Sequence, residues 1–477
     1  MTKKYLTKKS ENFSDWYTDV ILKSELADYA PVKGCMVIRP YGYAIWEGIQ
    51  KYLDKLIKDR GVQNAYFPLF IPESFLKKEK EHVEGFSPQM AVVTYAGGEE
   101  LKEKLVVRPT SETIMYEMYK QWTQSYRDLP ILINQWNNVV RWEKRTYLFL
   151  RTSEFLWQEG HCAHETHEES METVLWALRS YVDTYQNLLG IYGIAGLKSE
   201  SEKFAGAAKT FTYEMLMPDG KALQGCTSHD LGQNFAKAFD WTVSGKDGEQ
   251  LYPWQNSWGL STRSIGGLIM AHGDDNGLIL PSKIAPTQII IVPIPGSQKI
   301  QEYTKVLQKN LNNFRCEIDN KEGKTVGFKF NKWELKGAPL RIEIGERELE
   351  QDLITIVRRD TGEKISGNTK DLLKKIPDIL DSVQNRLLEK HKKFTEENTH
   401  TVNSYEELKK IMTGPRGFIL AFWCENPECE AKIKEETKAT TRCLPIDVST
   451  GLPSKENGKC VYCGMVSKHR WLFAQSY

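Results

Sequence analysis

The sequence predicts an α+β protein built from three consecutive units. We expect an antiparallel-sheet domain over residues 1–284, an α/β domain over 285–385, and a connector helix with a small C-terminal α/β domain over 386–477. Short apolar runs between residues 130 and 160, separated by polar breaks, are typical of adjacent antiparallel strands. After residue 281 strands alternate with helices, which favours a separate α/β domain. A chain of 477 residues is also too long for one core and divides into about two to four domains.

The charge balance gives no indication of a binding partner. The chain has 64 Lys and Arg residues against 63 Asp and Glu residues, so contact with RNA must come from local patches. The first residues, MTKKYLTKKSENF, lack the apolar core of a signal peptide, and no stretch approaches the roughly 18 apolar residues of a membrane span. We therefore expect a cytoplasmic protein without a membrane partner.

The nine cysteines suit a reducing compartment better than a disulfide framework. Five of them are single: Cys35, Cys162, Cys226, Cys316 and Cys443. The other four form two pairs near the C-terminus, Cys424-x4-Cys429 and Cys460-x2-Cys463. Four thiolates suit a closed tetrahedral zinc site, but the 30-residue gap between the pairs exceeds the usual spacing. Four free thiols therefore stay the alternative.

Apolar periodicity predicts the helices of the first domain. One helix is expected over 14–29, with Ser14 as a possible cap, and a longer one over 43–60 that ends at Gly61. A third is expected over 165–189. The aromatic run AYFPLFI predicts a strand, and ILINQW, NVVRWE, YLFL and EFLWQ predict the antiparallel strands between 130 and 160.

In the second domain, TQIIIVPI, PLRIEIG and DLITIVRR predict strands, and residues 299–314 predict an amphipathic helix. A charged helical segment over 370–394 is expected to connect this domain to the C-terminal unit.

The strongest local cluster is Arg141-Trp-Glu143, followed by Arg151 and Phe155. On a strand, Arg141 and Glu143 point to the same face, because side chains alternate with period two. A guanidinium can grip a phosphate, a carboxylate can accept from an adenine amino group, and an aromatic ring can cover the base. The spacing thus outlines an ATP site, although the same spacing also fits an ion pair on a solvated sheet.

Around this cluster lie segments that resemble class II aminoacyl-tRNA synthetases, and specifically prolyl-tRNA synthetases of the archaeal and eukaryotic type. They are RPYGYAIWE, NAYFPLFIPESF, RPTSET, NVVRWE, FLRTSEFLWQEGH, EKFAGA, TSHDLGQNF and QNSWGLSTRSIG. The resemblance covers essentially the whole chain. It implies a class II antiparallel-sheet catalytic domain, an α/β anticodon-binding domain and a zinc-binding C-terminal domain. It also implies a ligase that activates L-proline with ATP and transfers proline to the 3′ end of tRNA(Pro).

The resemblance implies the ATP site. In the family's second motif, Arg141 holds the α-phosphate, Glu143 contacts adenine, Arg151 reaches the terminal phosphates and Phe155 stacks on the base. The third motif supplies Arg263, and Gln224 and Thr227 also belong with ATP. Since activation aligns two anions and stabilises the transferring phosphoryl group, arginines and Mg²⁺ suffice without a covalent nucleophile. Cys162 and Cys226 are then expected to pack beside the pocket.

A proline pocket must accept a secondary ammonium and a compact apolar ring. RPTSE offers a hydroxyl and a carboxylate, and WQEGH offers an indole, a carboxylate and an imidazole. The resemblance implies that proline is held by Thr110, Glu112, Arg141, Trp157, Glu159, His161, His229, Ser257 and Gly259. His164 and His167, which follow directly, are expected to be a surface pair at a helix start and not a metal site.

The resemblance also implies the partners. The segment around Pro68 corresponds to the family's first motif, which implies a homodimer. Arg341, Glu343 and Arg347 are candidates for anticodon contacts, although alternating charges on a strand are more often a solvated face. The resemblance favours zinc on Cys424, Cys429, Cys460 and Cys463. It suggests that Tyr477 folds back toward the active site, against the default of a frayed tail.

The short span from His161 to Gln224 leaves no room for the editing domain that bacterial-type prolyl enzymes insert between the second and third motifs. Two rival functions remain: a synthetase of the same subclass for another amino acid, and a synthetase-derived binding protein that has lost ligation. RPTSE and WQEGH argue against the first, and the presence of Arg141, Arg263 and the middle domain argues against the second.

Overall fold

A computed structural model describes residues 6–76, 89–294 and 298–477. The elements up to residue 272 are, in chain order, α1 (Phe13–Lys23), β1 (Ala27–Tyr29), β2 (Met36–Ile38), α2 (Pro40–Asp59), β3 (Gln63–Asn64), β4 (Phe70–Pro72), α3 (Glu73–Leu76), β5 (Ala91–Ala96), β6 (Glu99–Val107), α4 (Glu112–Trp122), a 3₁₀ turn (Tyr126–Asp128), β7 (Ile131–Val140), β8 (Glu154–His164), α5 (His167–Asp183), a π-helical turn (Thr184–Leu188), β9 (Ile194–Leu197), β10 (Lys209–Leu216), β11 (Ala222–Gly232), α6 (Asn234–Ala238), β12 (Val243–Ser244), β13 (Gln250–Leu251), β14 (Trp254–Ser261) and α7 (Arg263–His272).

The later elements are β15 (Ile289–Pro293), α8 (Gln298–Asn310), β16 (Cys316–Ile318), α9 (Val326–Leu335), β17 (Leu340–Ile344), α10 (Glu346–Glu350), β18 (Leu353–Arg358), β19 (Lys364–Asn368), α11 (Thr369–Glu397), β20 (Thr399–Thr401), α12 (Tyr405–Thr413), β21 (Phe418–Phe422), α13 (Pro427–Thr437), β22 (Thr440–Pro445), β23 (Gly458–Lys459), β24 (Val466–Ser467) and β25 (Arg470–Ala474).

The central feature is an eleven-stranded sheet in the order β20-β21-β25-β22-β9-β10-β11-β14-β8-β7-β3. Its pairs are antiparallel apart from the two at its ends, β20 with β21 and β3 with β7. Because side chains alternate along a strand, Cys162 of β8 enters one core with α2, α5 and α7, whereas Ala163 enters a second core with α4 and α6. The predicted α+β class and antiparallel sheet are confirmed.

The C-terminal unit adds its strands to the same sheet. Strand β22 pairs with β9, so that Leu444 lies opposite Leu197 and Pro445 opposite Gly196. A Cβ at position 196 would lie 2.5 Å from the Sγ of Cys443 and 2.6 Å from the carbonyl oxygen of Leu444. Only glycine permits this approach of the two strands.

The middle unit has a five-stranded sheet in the order β16-β15-β17-β18-β19. Strand β15 is parallel to β16 and β17, while β18 and β19 continue the sheet antiparallel. Helices α8 and α11 pack their apolar residues on its inner face. The predicted strands, the amphipathic helix and the connector helix are therefore present here.

The first helix differs from its prediction at both ends. Asn12 caps it in place of Ser14, since the Asn12 side chain accepts a hydrogen bond from the backbone N–H of Asp15 at 3.1 Å. The helix ends at Lys23, because Glu25 adopts a left-handed φ of 64°. The predicted last turn is instead the short strand β1.

Most of AYFPLFI is not a strand. Only its last two residues belong to β4, and the backbone N–H of Phe67 donates to Oε1 of Gln135 at 3.0 Å instead of to a strand partner. Pro68 has no N–H to donate, so a regular ladder cannot continue through this segment.

The predicted strands NVVRWE and YLFL also differ from the structure. Strand β7 ends at Val140, so Arg141 and Glu143 lie beyond it, and YLFL forms a turn in which Phe149 has a φ of 60°. The expectation that Arg141 and Glu143 share a strand face is therefore wrong. The chain leaves the ladder here, because the β7–β8 pairing stops where Val140 lies opposite Glu154.

Ion pairs join the units. Nζ of Lys198 lies 2.7 Å from Oε1 of Glu214, and Nη2 of Arg442 lies 2.9 Å from Oε2 of the same residue. Burial alone would raise the pKa of Glu214, but Arg442 and Lys198 lower it to about 2. In the middle unit, Arg359 binds Asp274, which follows α7, through both Nη atoms at 2.9 and 2.5 Å.

Within the part of the chain that the structure describes, no helix combines the length and apolar character of a membrane span.

Replacing Glu214 with glutamine should lower the free energy of unfolding by about 3–5 kcal/mol, because Lys198 and Arg442 would stay buried without a counter-charge. Urea denaturation measures the change. The control Glu456→Gln removes a carboxylate that is 55% exposed and pairs with Arg470, and should cost about 0–1 kcal/mol. Equal losses for the two variants would contradict the assignment.

Candidate functional site

Three neighbouring strands build one wall of a cavity of about 220 Å³. Trp157, Glu159 and His161 alternate along β8 and therefore share a face. On β14, Gly259 lies opposite Glu159 and Ser257 lies opposite His161. The register continues into β11, where His229 lies opposite Ser257. Pairing thus brings together residues that are about 100 positions apart in the sequence.

The segment 108–112 supplies another wall. Thr110 and Glu112 line the cavity where α4 begins, and the Thr110 hydroxyl donates a short hydrogen bond to the Glu112 carboxylate. The sequence analysis missed Arg108, whose side chain is buried and donates to the carbonyls of Phe67 and Asn138 at 2.6 and 2.8 Å. Arg108 holds the segment in place without lining the cavity.

All nine residues predicted for the proline pocket line this one cavity. They are Thr110, Glu112, Arg141, Trp157, Glu159, His161, His229, Ser257 and Gly259. The cavity also contains Gln224 and Thr227, which were predicted for ATP. Six further lining residues were not predicted, although the quoted motif EKFAGA includes three of them and QNSWGLSTRSIG includes a fourth. They are Lys198, Glu202, Lys203, Phe204, Thr210 and Trp258.

Three carboxylates line the cavity, those of Glu112, Glu159 and Glu202, and hydrogen-bond donors surround that of Glu159. Glu159 accepts hydrogen bonds from the side chains of Ser111, Gln135, Asn137 and His161 at 2.5 to 2.9 Å and from the backbone of Ser111 at 3.2 Å. Burial disfavours its charge, but these donors lower the pKa of Glu159 to about 2. Glu159 is therefore a saturated anion that orients its neighbours.

The two histidines of the cavity are shifted in opposite directions. Burial lowers the pKa of His161, but Glu112 and Glu159 raise it more, so the net shift is upward. Nδ1 of His161 lies 4.0 Å from Glu112. Burial lowers the pKa of His229 to about 4, and its Nδ1 lies 3.0 Å from the Thr210 hydroxyl. His229 is therefore neutral at pH 7, whereas the two carboxylates raise the pKa of His161 above its usual value.

Arg141 lies between the aromatic residues of β8. Its guanidinium carbon is 5.5 Å from the ring centre of Phe155 and 5.4 Å from that of Trp157, and its Nε donates to the carbonyl of Pro109 at 3.1 Å. Burial lowers the pKa of Arg141 to about 10, so the side chain stays cationic at neutral pH. It therefore brings a fixed positive charge to the cavity.

A second cavity, of about 750 Å³, adjoins the first, and both are lined by Glu202 and Gln224. Arg151 and Arg263 line the second cavity. Arg263 begins α7, directly after β14, and its Nε donates to the carbonyl of Leu150 at 3.0 Å. Phe155 lies outside both cavities, beside Met36 and Ile38. Among the residues that the structure describes, Glu143 also does not line either cavity.

The chain end packs against the second cavity instead of fraying. The Tyr477 hydroxyl donates to Asp219, its backbone N–H lies 3.4 Å from the carbonyl oxygen of Ala222, and Nη2 of Arg151 lies 3.5 Å from its backbone oxygen. The position of Tyr477 therefore agrees with the return toward the active site that the resemblance suggests.

The remaining single residues have structural surroundings. Cys162 and Cys226 are buried, and burial raises the pKa of both thiols, that of Cys162 to about 12. The expected surface pair of His164 and His167 is wrong for His164, which ends β8 at 4% exposure and whose pKa is lowered by burial to about 4. His167 instead contacts Asp230 at 2.9 Å.

Arg341 and Glu343 form an ion pair on β17. Nε and Nη2 of Arg341 donate to Oε1 of Glu343 at 3.0 and 2.8 Å, and the ring of Phe330 lies 4.1 Å from the guanidinium carbon. Arg347 lies on the neighbouring helix α10.

The four paired cysteines come together in the C-terminal unit. Their sulfur atoms all lie within 4.8 Å of one another, and Sγ of Cys424 is 3.7 Å from that of Cys429 and 3.6 Å from that of Cys463. Tetrahedral ligation at a zinc–sulfur distance of about 2.3 Å places sulfurs about 3.8 Å apart. The four residues, Cys424, Cys429, Cys460 and Cys463, therefore fit a zinc ion.

Comparisons with known proteins agree with this architecture. Three family models match: the core domain of class II tRNA synthetases (G, H, P, S and T) over residues 94–272, an anticodon-binding domain over 288–379, and the prolyl-tRNA synthetase C-terminal domain over 405–477. A proline–tRNA ligase of Natranaerobius thermophilus is 54% identical over 465 residues, covering 97% of this chain and 95% of that protein. One of Chloroherpeton thalassium is 54% identical over 479 residues, covering 99% of each.

A crystal structure of prolyl-tRNA synthetase from Cryptosporidium parvum, complexed with halofuginone and AMPPNP, superposes with a TM-score of 0.94. The two sequences are 42% identical, and the match covers 99% of this chain and 99% of that chain.

The raised pKa of His161 predicts a pH-dependent contribution to folding. A folded pKa above the unfolded value of about 6.5 gives stability that is complete below that pH and is lost as pH rises through the folded pKa. We expect the difference in free energy of unfolding between the parent and His161→Gln to shrink over that range. Urea denaturation from about pH 5.5 to about pH 9 measures it, with His400→Gln as control. A pH-independent difference would contradict the shift.

Proposed function

The chain belongs to the prolyl-tRNA synthetase family and is a proline–tRNA ligase, and on that premise we propose that its two adjoining cavities hold proline and ATP during activation. The observation that carries this proposal is the convergence of all nine predicted proline residues on the smaller cavity. Gln224 lines both this cavity and the larger one, which Arg151 and Arg263 also line.

In the smaller cavity, the carboxylate of Glu112 and the hydroxyl of Thr110 receive the secondary ammonium of proline. The indole of Trp157 packs on the pyrrolidine ring, while Ser257 and Gly259 leave room beside it. Glu159, His161 and His229 orient these groups. The carboxylate of proline then points toward Arg141.

ATP is placed so that Arg141 contacts the α-phosphate and Arg151 and Arg263 contact the terminal phosphates. Phe155 stacks on adenine, Glu143 accepts from its amino group, and Gln224 and Thr227 contact the nucleotide. Mg²⁺ bound to the phosphates supplies further charge neutralisation. Glu143 and Phe155 lie outside the two cavities, so these two assignments rest on the family resemblance.

The reaction follows from this placement. The proline carboxylate attacks the α-phosphorus and pyrophosphate leaves, which forms prolyl-adenylate. A hydroxyl of the tRNA 3′ end then attacks the carbonyl carbon and AMP leaves. Fixed guanidinium groups stabilise the charge on the transferring phosphoryl group, and no protein nucleophile is required.

The C-terminal unit is proposed to hold a structural zinc ion on Cys424, Cys429, Cys460 and Cys463. The sulfur separations support four-coordinate ligation, and the ion would hold the start of helix α13 at Cys429 and the turn at Cys463 together. We also propose the domain boundaries 1–284, 285–385 and 386–477, and the order of the three matched family models along the chain supports them.

A homodimer through the segment around Pro68 is supported by exposed apolar side chains nearby. Tyr66 is 73% exposed, Phe70 44% and Trp122 51%. Exposed apolar side chains of this kind favour burial against a partner. We also propose that Arg341, Glu343 and Arg347 contact the anticodon of tRNA(Pro), and that the enzyme acts in the cytoplasm, where its free thiols stay reduced.

The enzyme is proposed to be of the type without a cis-editing domain. Between β8 and β11 the chain forms α5, the π-helical turn, β9 and β10, and these elements pack in the central sheet and its core. The compact path supports the absence of an inserted domain at this point.

The activation assignment predicts proline-dependent exchange of pyrophosphate into ATP. Across the twenty amino acids, proline should give the dominant rate, and Arg141→Ala should lower it by about 10²- to 10³-fold because a fixed charge at the phosphate is lost. The control Arg127→Ala removes an exposed arginine outside both cavities and should act like the parent. A dominant rate with another amino acid, or an active Arg141→Ala, would refute the assignment.

The missing editing domain predicts that alanine is activated and its product persists. The pocket discriminates against alanine only through absent methylenes, which are worth about 1–3 kcal/mol per group. Incubation with preformed Ala-tRNA(Pro) should therefore give hydrolysis at the rate of a sample without enzyme. Clearly faster hydrolysis would sink the proposal.

A further inference from the structure

The C-terminal unit contributes to the cavity that receives the phosphates. Arg416, Arg442 and Tyr477 line it together with residues of the first unit. Six lining side chains are cationic, Arg145, Arg151, Lys221, Arg263, Arg416 and Arg442, against the two carboxylates of Glu202 and Asp219. The cavity is therefore suited to a compact ligand with several negative charges.

Both carboxylates already have partners. Glu202 lies 3.2 Å from Nζ of Lys434, and Asp219 accepts from the Tyr477 hydroxyl and lies 3.6 Å from Nζ of Lys221. They consequently offset little of the charge of Arg151, Arg263 and Arg416, while the charge of Arg442 is shared with Glu214.

Arg442 is fixed before any ligand arrives. Its Nε and Nη2 donate to Glu214 at 3.0 and 2.9 Å, and its Nη1 donates to the hydroxyl of Thr440 at 3.0 Å. Burial is the main cause that lowers the pKa of Arg263. The nearby charge of Arg151, and to a smaller extent that of Arg442, lowers this pKa further. The first and third units thus bring like charges close together, which an anion between them would stabilise.

Arg416 occupies a conformation that arginine rarely adopts. Its φ is 63°, in the left-handed region that favours glycine. The turn is held from both sides: the N–H of Arg416 donates to the carbonyl of Ile411 at 2.8 Å, and that of Gly417 donates to the carbonyl of Gly220 at 3.1 Å. A Cβ on Gly220 would lie 2.7 Å from that of Arg416, so the two turns fit only with glycine there. A cation kept in a disfavoured conformation at a cavity wall indicates a binding role.

We propose that Arg416 and Arg442 bind the phosphoryl oxygens of pyrophosphate, both when it leaves during activation and when it is the substrate of the reverse reaction. Together with Arg151 and Arg263 they complete a site to which two units contribute. The proposal deepens the proposed function, because it rests on Arg151 and Arg263 contacting the terminal phosphates of ATP. Pyrophosphate concentrates several charges in a small volume, which matches converging guanidinium groups better than the single charge of one tRNA phosphodiester does.

The test is pyrophosphate-dependent exchange into ATP, without tRNA, on the full-length enzyme. Arg416→Gly should raise the KM for pyrophosphate about tenfold, because one charge-assisted contact is lost. The KM for proline should stay unchanged. Arg416→Lys should recover part of the loss, since it keeps the charge but not the paired donors.

Lys438→Gly is the matched control. Lys438 also has a left-handed φ, 60°, lies in the same unit, is exposed, and is not among the residues that line the cavity. Its KM for pyrophosphate should equal that of the parent. Melting temperatures should stay close to the parent for both glycine variants, and Arg416→Asn, which tolerates left-handed φ, replaces Arg416→Gly if that variant folds poorly.

Arg151→Ala separates the two proposals. If it raises the KM for pyrophosphate while Arg416→Gly leaves it within about twofold of the parent, the role of Arg416 is refuted and the proposed ATP site stands. If neither variant changes that KM, the phosphate assignment of the cavity fails as well. An effect of Arg416→Gly confined to the KM for tRNA in aminoacylation would assign the arginine to tRNA and overturn the proposal.

Discussion

The register of three antiparallel strands, β8, β14 and β11, is the constraint on which the site depends. Period-two alternation places Trp157, Glu159 and His161 on one face, and the pairings then set Ser257 and His229 beside them. A shift of one residue would turn the whole set toward the apolar core, where Cys162 now packs. The hydrophobic face of the sheet therefore specifies the binding face as well.

The same face carries several buried charges. Hydrogen bonds and counter-charges offset the free-energy cost of burying them. Glu159 accepts five hydrogen bonds, and Glu214 is neutralised by Lys198 and Arg442. These two carboxylates hold other groups of the site in place. Pre-ordered charges of this kind need little rearrangement when charge develops on a reacting phosphoryl group.

Much of this could be predicted from the sequence, and the failures have physical causes. The α+β class, the connector helix and the mixed sheet of the middle unit followed from periodicity and from the change of pattern near residue 281. The residues of the smaller cavity followed from resemblance, because no spacing rule relates Glu112 to Ser257. The strand predicted through Arg141 failed, since local propensity cannot show where a partner strand ends. Arg108 was not predicted, because its side chain donates to backbone carbonyls that only the folded chain brings near.

The joining of the C-terminal unit to the central sheet was also beyond sequence analysis, because it depends on the approach of β22 to β9 at Gly196. Its consequence is functional. Strand β9 leads into Lys198 and the loop that lines the smaller cavity, while β22 carries Arg442 to the wall of the larger one. One strand pair thus connects the last unit to both cavities. A displacement of this unit would move a guanidinium group of the larger cavity and a wall of the smaller one together, so the C-terminal unit and the two cavities are structurally coupled.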